Sequence, residues 1–205
     1  MMMQTELKLS VIIPVYNQAK LISSALLSIP MENCYIEAIV IDDGSTDGTY
    51  DAVEYWKKTW SNLKVVHFNE NKGVASAVNL GLDLACVDYV VLLGSDDYFV
   101  EDLRKCFEWL DGTDLIYFNL IDNAGKIWRV NEKTKRGLCG SVKFMRREFV
   151  GDTRCPVEKR WAEDLDFYNQ LLAKNPTEKF TDKVVKHYNF PRKGSLTDQM
   201  LSCKK

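Results

Sequence analysis

Two pairs of adjacent aspartates set the terms for any chemistry in this chain. Asp42-Asp43 closes the apolar run Ile39-Val40-Ile41, and Asp96-Asp97 follows Val90-Val91-Leu92-Leu93 after the short spacer Gly94-Ser95. Neighbouring carboxylates repel each other unless positive charge lies close by, and a divalent cation bridging a diphosphate is the simplest such partner. A polar turn directly after an apolar strand delivers its side chains to the carboxyl edge of a parallel sheet, where open α/β sheets bind ligands. The pattern points to a metal and nucleotide crevice. A third acidic pair, Glu163-Asp164, opens a stretch with apolar residues at 165, 167, 168, 171 and 172. That spacing places both carboxylates at the start of an amphipathic helix, ended near Asn175-Pro176.

The elements that must hold these acids follow from periodicity. Leu9 to Val15 reads as a strand, 19–27 as a helix, Ile36 to Ile41 as a strand, and Ser45 or Asp47 as the cap of a helix through Tyr50, Val53 and Trp56. A strand over 63–68, a turn at Asn71-Lys72-Gly73, a small-residue helix over 74–84 and a strand over 89–93 repeat the unit. Strands apolar on both faces alternating with helices predict an α/β fold with a mainly parallel sheet covered on both sides. Beyond residue 102 the pattern loosens into a helix over 103–110, strands over 115–120 and 127–130, the helix at 163, and a strand over 184–188. No repeat or linker breaks the chain, so one domain over 1–205 is expected, with residues 1–110 forming one half and 111–205 the other.

Composition narrows the classes. The chain has 205 residues and a net charge of −2 with both signs mixed along its length, which leaves no footprint for nucleic acid. Its six cysteines are scattered without a CxxC pair, so neither a zinc site nor a disulfide framework is indicated. No apolar run reaches the ~18 residues of a membrane span, and the first residues lack the layout of a signal peptide. A cytoplasmic protein is expected, with peripheral attachment to the inner membrane face as a further option.

In their order, five segments resemble the inverting nucleotide-sugar glycosyltransferases of family 2, which have the GT-A fold. They are Ser10-Val11-Ile12-Ile13-Pro14-Val15-Tyr16-Asn17, Val40 to Thr49 around Asp42-Asp43-Gly44-Ser45, Asn71-Lys72-Gly73 through Asn79-Leu80-Gly81, Gly94-Ser95-Asp96-Asp97, and Trp161-Ala162-Glu163-Asp164. The first four fall within the first hundred residues. After them the likeness thins to the Glu-Asp pair and the tail Tyr188 to Thr197.

The resemblance implies roles. Pro14, Val15 and Tyr16 would hold the nucleobase, and Asp42 or Asp43 would accept from the base or a ribose hydroxyl, with Lys72 near the nucleotide. The family commonly has Asp-X-Asp-Asp where this chain has Gly94-Ser95-Asp96-Asp97, so the first carboxylate is missing. Asp97 would then bind Mn²⁺ or Mg²⁺ with diphosphate oxygens and waters completing the shell, while Ser95 and Asp96 serve the ribose or sugar; the two aspartates can exchange roles. His187 is a further candidate ligand, or a structural residue. Asp164 would be the general base, Glu163 its positioner or an acceptor contact, and Trp161 a stacking surface for a sugar or a core residue. Arg192, Lys193 and Ser195 would reach the diphosphate from a closing loop hinged at Gly194.

These roles describe transfer of a hexose or N-acetylhexosamine from a UDP-sugar to a glycan or lipid-linked acceptor in cell-surface glycan assembly. The chain is short for the family, so the acceptor side is expected to be minimal or to be completed by a partner subunit or by dimerisation. Two other classes stand beside this one. A non-catalytic nucleotide-sugar or glycan-binding module is motivated by Gly94. A phosphoacceptor receiver would need acids after the first strand, where this chain has Pro14-Val15-Tyr16-Asn17.

Overall fold

Leu9–Val15 (β1), Ile36–Asp42 (β2) and Tyr89–Leu92 (β4) carry almost no charge, and nearly every residue in them is buried, as strands covered on both faces require. With Leu63–His67 (β3) they form the parallel half of one sheet, in the order β3-β2-β1-β4. The computed structural model describes residues 8–32, 35–138, 142–158 and 163–193. Helices Ile22–Leu27 (α1), Thr49–Lys57 (α2) and Val74–Leu84 (α3) connect these strands. Ala75, Ala77 and Val78 let α3 lie close over β1 and β2. Because β1, β2 and β4 run in the same direction, the turns bearing Tyr16, Asp43 and Asp96 all leave the same edge of the sheet.

The second half extends this sheet. Leu115–Asp122 (β6), Lys143–Arg146 (β8) and Glu178–Tyr188 (β9) continue it from β4, with Tyr98–Phe99 (β5) at the far edge and Ile127–Trp128 (β7) paired to β6. β8 runs antiparallel to both neighbours, so the sheet is mixed rather than parallel throughout. Arg147–Val150 (α4) follows β8, and Glu163–Leu172 (α5) precedes β9.

Several elements depart from the periodicity reading. The segment after Asp102 is a 3-10 helix, Leu103–Trp109, capped by the Asp102 side chain. β9 starts six residues earlier than the apolar run at 184 suggests, because Tyr117 and Phe180 stack at 4.7 Å and Glu178 accepts from the Tyr117 hydroxyl at 2.6 Å. α2 begins after Gly48 rather than on a Ser45 or Asp47 cap, yet Asp47 Oδ1 still accepts the Thr49 backbone N–H at 3.0 Å. β8 escapes notice in the sequence because Lys143 interrupts its apolar residues.

Asp114 ties the second half together where β6, β8 and β9 meet. Its carboxylate accepts from Arg146 Nη2 at 2.6 Å, from the Thr177 backbone N–H at 2.9 Å and from the Thr177 hydroxyl at 2.8 Å. Burial alone would push this carboxyl up, but the Thr177 N–H, the Arg146 guanidinium and the Thr177 hydroxyl outweigh it and hold it below its ordinary value. The stabilisation is therefore complete above the usual carboxylate range and is lost as pH falls through the depressed folded value. Asp114→Ala is expected to lower unfolding free energy by about 3 kcal/mol in urea titration, with a smaller difference from the parent in strong acid.

Candidate functional site

The turns after β1 and β2 are laced into one unit. The Asn17 N–H donates to Ser45 Oγ at 2.9 Å, the Thr46 N–H to Asn17 Oδ1 at 2.8 Å, and the Gln18 N–H to Thr49 Oγ1 at 2.8 Å. Asn17 takes a positive φ of 51° to make this crossing. Tyr16 stands on the laced unit with 45% of its surface exposed, while Pro14 and Val15 end β1 beside it.

Asp42 and Asp43 prove to be structural anchors of this rim. Asp42 is fully buried; one oxygen accepts from the Ser45 N–H and hydroxyl, and the other lies 2.7 Å from His67 Nδ1. Of the two aspartates expected near the nucleotide, Asp42 is therefore the one held inside the rim. Asp43 accepts the backbone N–H groups of Lys72 at 2.7 Å and Gly73 at 2.9 Å, which pins the turn before α3 against the end of β2. Burial pushes the Asp43 carboxyl up despite these two bonds. Lys72 contributes its backbone here, whereas its exposed ammonium sits 4.9 Å over the Phe68 ring. Gly44 makes the contact feasible, with φ +74° and room for no side chain: a Cβ would fall 2.6 Å from the carbonyl carbon of Glu70. Gly44→Ala should cost about 3 kcal/mol in thermal or urea unfolding, because backbone rather than a movable side chain blocks the space.

A cavity of about 180 Å³ opens between the β1 edge, the loop after β4 and the start of α5. Pro14, Val74, Gly94, Lys143, Glu163 and Asp164 all line it, so four of the five sequence segments converge on one space. Glu163 and Asp164 occupy the first turn of α5, where the helix dipole favours negative charge. Burial and then the neighbouring Asp164 charge push the Glu163 carboxyl up, while its own backbone N–H pulls the other way. Asp164 Oδ1 accepts the Leu165 N–H at 2.8 Å. Asn79 on α3 grips the segment leading to α5 by bonding both the N–H and the carbonyl of Cys155, at 2.8 and 2.9 Å. The Cys155 thiol in the cavity wall is pushed up to about 12, first by burial and then by Glu163 and Asp164, so it is an inert thiol at neutral pH. Lys143, missed in the sequence, is 2% exposed with its ammonium 4.4 Å from the Tyr168 ring. Its signal was a charge inside an otherwise apolar run.

The second acidic pair lies at the end of the β5 and β9 edge. Asp97 Oδ2 accepts from Lys186 Nζ at 2.8 Å, and Oδ1 from the Asn189 N–H at 2.9 Å. Asp96 Oδ2 accepts from Arg192 Nε at 2.8 Å. Burial, then the Asp97 charge, pushes the Asp96 carboxyl up, and Arg192 offsets part of this. Ser95 is buried beside them, and Lys193 is exposed beyond Arg192. Trp161 and Ser195, with the hinge Gly194, lie outside the described residues.

The sequence matches the glycosyl transferase family 2 profile over residues 10–164, from β1 to the acid at the start of α5. The chain belongs to this family. Among its relatives, the PGL/p-HBAD biosynthesis glycosyltransferase of Mycobacterium bovis is 29% identical, with 88% of this chain and 76% of that protein covered. TuaG of Bacillus subtilis, assigned to teichuronic acid biosynthesis as a glycosyltransferase, is also 29% identical, with 96% and 84% covered. The S. aureus TarS 1-349 structure in complex with UDP-GlcNAc superposes with a TM-score of 0.80 at 25% identity, over 93% of this chain and 61% of that one. The fold is likewise shared with mannosyltransferase PcManGT of Pyrobaculum calidifontis, solved with GDP-Man and Mn²⁺, at TM-score 0.72 and 22% identity over 92% of this chain and 59% of that one.

Family 2 transferases generally use a divalent metal, but the acids of this family member do not fit one. The charge of Asp97 is already met by a lysine that is itself 2% exposed along the side chain, 2.8 Å from Oδ2. The His187 ring stacks on Tyr98 at 4.4 Å, and as the next residue along β9 it points to the opposite face from Lys186. Among the described residues no group of three His, Cys, Asp or Glu side chains is arranged to hold a metal ion. The expectation that Asp97 binds the metal stands against this ion pair with Lys186.

Proposed function

We propose that this family 2 glycosyltransferase moves a hexose or N-acetylhexosamine from a UDP-sugar to an acceptor hydroxyl with inversion, in the assembly of cell-surface glycans. The observation that carries the reading is the convergence of Pro14, Gly94, Glu163 and Asp164 on one cavity. Its volume of about 180 Å³ is below the range of about 300–1,000 Å³ common for drug-sized ligands, which suits a sugar ring entering while the nucleotide lies outside along the rim. There Tyr16 offers an exposed ring for the base. Asp43 keeps a second acceptor position on each oxygen for the base or ribose. The TarS complex with UDP-GlcNAc and the teichuronic acid relative support this donor and this class of product.

Transfer is then a single displacement. The acceptor oxygen attacks the anomeric carbon, the bond from that carbon to the diphosphate oxygen breaks with its electron pair going to UDP, and Asp164 takes the acceptor proton. Glu163 holds the acceptor beside Asp164. Arg192 and Lys193 meet the charge that builds on the leaving diphosphate. Residues 1–110 form the donor half of a single domain over 1–205 and residues 111–205 the acceptor half. A glycan or lipid-linked acceptor reaches the site at the cytoplasmic membrane face, with a second copy of the chain as the candidate partner; among the described residues no helix is long and apolar enough to cross a membrane.

A panel of UDP-, GDP- and dTDP-sugars, followed for release of the nucleoside diphosphate, tests this reading. Release from UDP-sugars above the others is expected. Tight UDP binding with no release, with or without acceptors, would instead favour a non-catalytic sugar-nucleotide binding module, the reading that Gly94 motivates.

A further inference from the structure

The head of the crevice holds four charges that already cancel in two pairs, Asp97 with Lys186 and Asp96 with Arg192. From this arrangement we infer that the protein binds its nucleoside diphosphate without a divalent cation, with cations from the β9 end of the chain in the metal's place. The inference deepens the donor assignment above and rests on it.

The two pairs differ in a way that assigns their roles. Lys186 and Asp97 are sealed, with side chains 2% and 5% exposed, and the Asn189 N–H occupies the remaining Asp97 oxygen. A divalent ion needs contact at about 2.0–2.2 Å to a carboxylate oxygen. At Asp97 Oδ2 it would stand against an ammonium held 2.8 Å from the same atom, and at low local dielectric that repulsion is weakly screened. Lys186 therefore acts as a fixed countercharge. Arg192 and Asp96 lie at the rim, 25% and 22% exposed, and the guanidinium meets the carboxylate through Nε. Arginine pairs with phosphate through two parallel N–H groups, so Arg192 can exchange Asp96 for a diphosphate oxygen or bridge both. Lys193 follows it in the chain, exposed.

Gly94 belongs to the same device. A Cβ there would sit 3.0 Å from Asp97 Oδ2 and 3.1 Å from Asp96 Oδ1, tighter than ordinary packing. A side chain at 94 would need both carboxylates to give way by a few tenths of an ångström, against the cations that hold them. Gly94 in the place of an acid and the buried Lys186 together favour a side-chain-held diphosphate.

Calorimetric titration with UDP in EDTA, repeated with excess Mn²⁺, tests this directly. Equal affinity in the two conditions is expected, together with an unchanged Mn²⁺ electron paramagnetic resonance signal when protein alone is added. Arg192→Ala, at the rim where folding is not at stake, should weaken UDP binding in EDTA by about tenfold, with no rescue by Mn²⁺. Binding that requires Mn²⁺, or an Arg192→Ala variant that binds UDP as the parent does, overturns the inference while leaving the donor assignment intact. Failure of UDP, GDP and dTDP to bind in either condition overturns both.

Discussion

Asp164→Asn is expected to lower the rate of transfer by about 10³-fold while UDP binding stays at the parent's level. The amide keeps the size of the side chain and can still accept the Leu165 N–H that now bonds Asp164 Oδ1 at 2.8 Å, so α5 should start where it does. What is lost is the capacity to take the acceptor proton. Neighbouring Glu163, whose carboxyl burial and the Asp164 charge push up, is assigned to the acceptor rather than to the proton. Glu163→Gln should raise the acceptor KM more than it lowers kcat. Steady-state kinetics across pH, with UDP calorimetry on each variant, checks these expectations. An Asp164→Asn variant that loses UDP binding, or that transfers at the parent's rate, would count against the base role.

Lys186 and Asp97 carry the largest expected effect on stability. Either single change, Lys186→Met or Asp97→Asn, leaves a countercharge or a shaped polar cavity without its partner, in a place where both side chains are almost sealed from water. Breaking a buried pair from one side costs about 3–5 kcal/mol, a large share of the roughly 5–15 kcal/mol that holds a domain folded. The double variant should recover most of that loss, since no charge is then left alone in the interior. Urea denaturation of the parent, both singles and the double reads the coupling. Losses that simply add would show that the two groups do not depend on each other, and the fixed-countercharge role of Lys186 would fall with them.

The first half of the fold was legible because its signals are local. β1, β2 and β4 are apolar along their length, so burial on both faces follows from composition alone, and a polar turn after each one marks the edge where ligands bind. Four of the segments that resemble family 2 lie on or follow the strands of the parallel half, and the cavity is lined by Pro14, Gly94 and Glu163-Asp164. Illegible parts depend on partners distant in the chain. Lys186 sits in a run that reads plainly as strand, but nothing near it says that it faces Asp97, 89 residues away. Lys143 hides β8 for the same reason, since a charge that is buried only through tertiary contacts looks like a break in the strand. Asp42 and Asp43 were visible as acids at the right edge. That one is spent on Ser45 and His67 and the other on the backbone of Lys72 and Gly73 depends on how the loops after β2 and β3 fold against each other.

The central claim is a single displacement at the cavity between Gly94 and Asp164. The measurement that tests it most directly is proton NMR of the sugar product formed from an α-linked UDP-sugar, read at early times before the anomers of any hydrolysed donor equilibrate. A product first formed in the β configuration, at a rate that Asp164→Asn suppresses, is the predicted result. Retention of the α configuration, or β product formed equally fast by the variant, would contradict it.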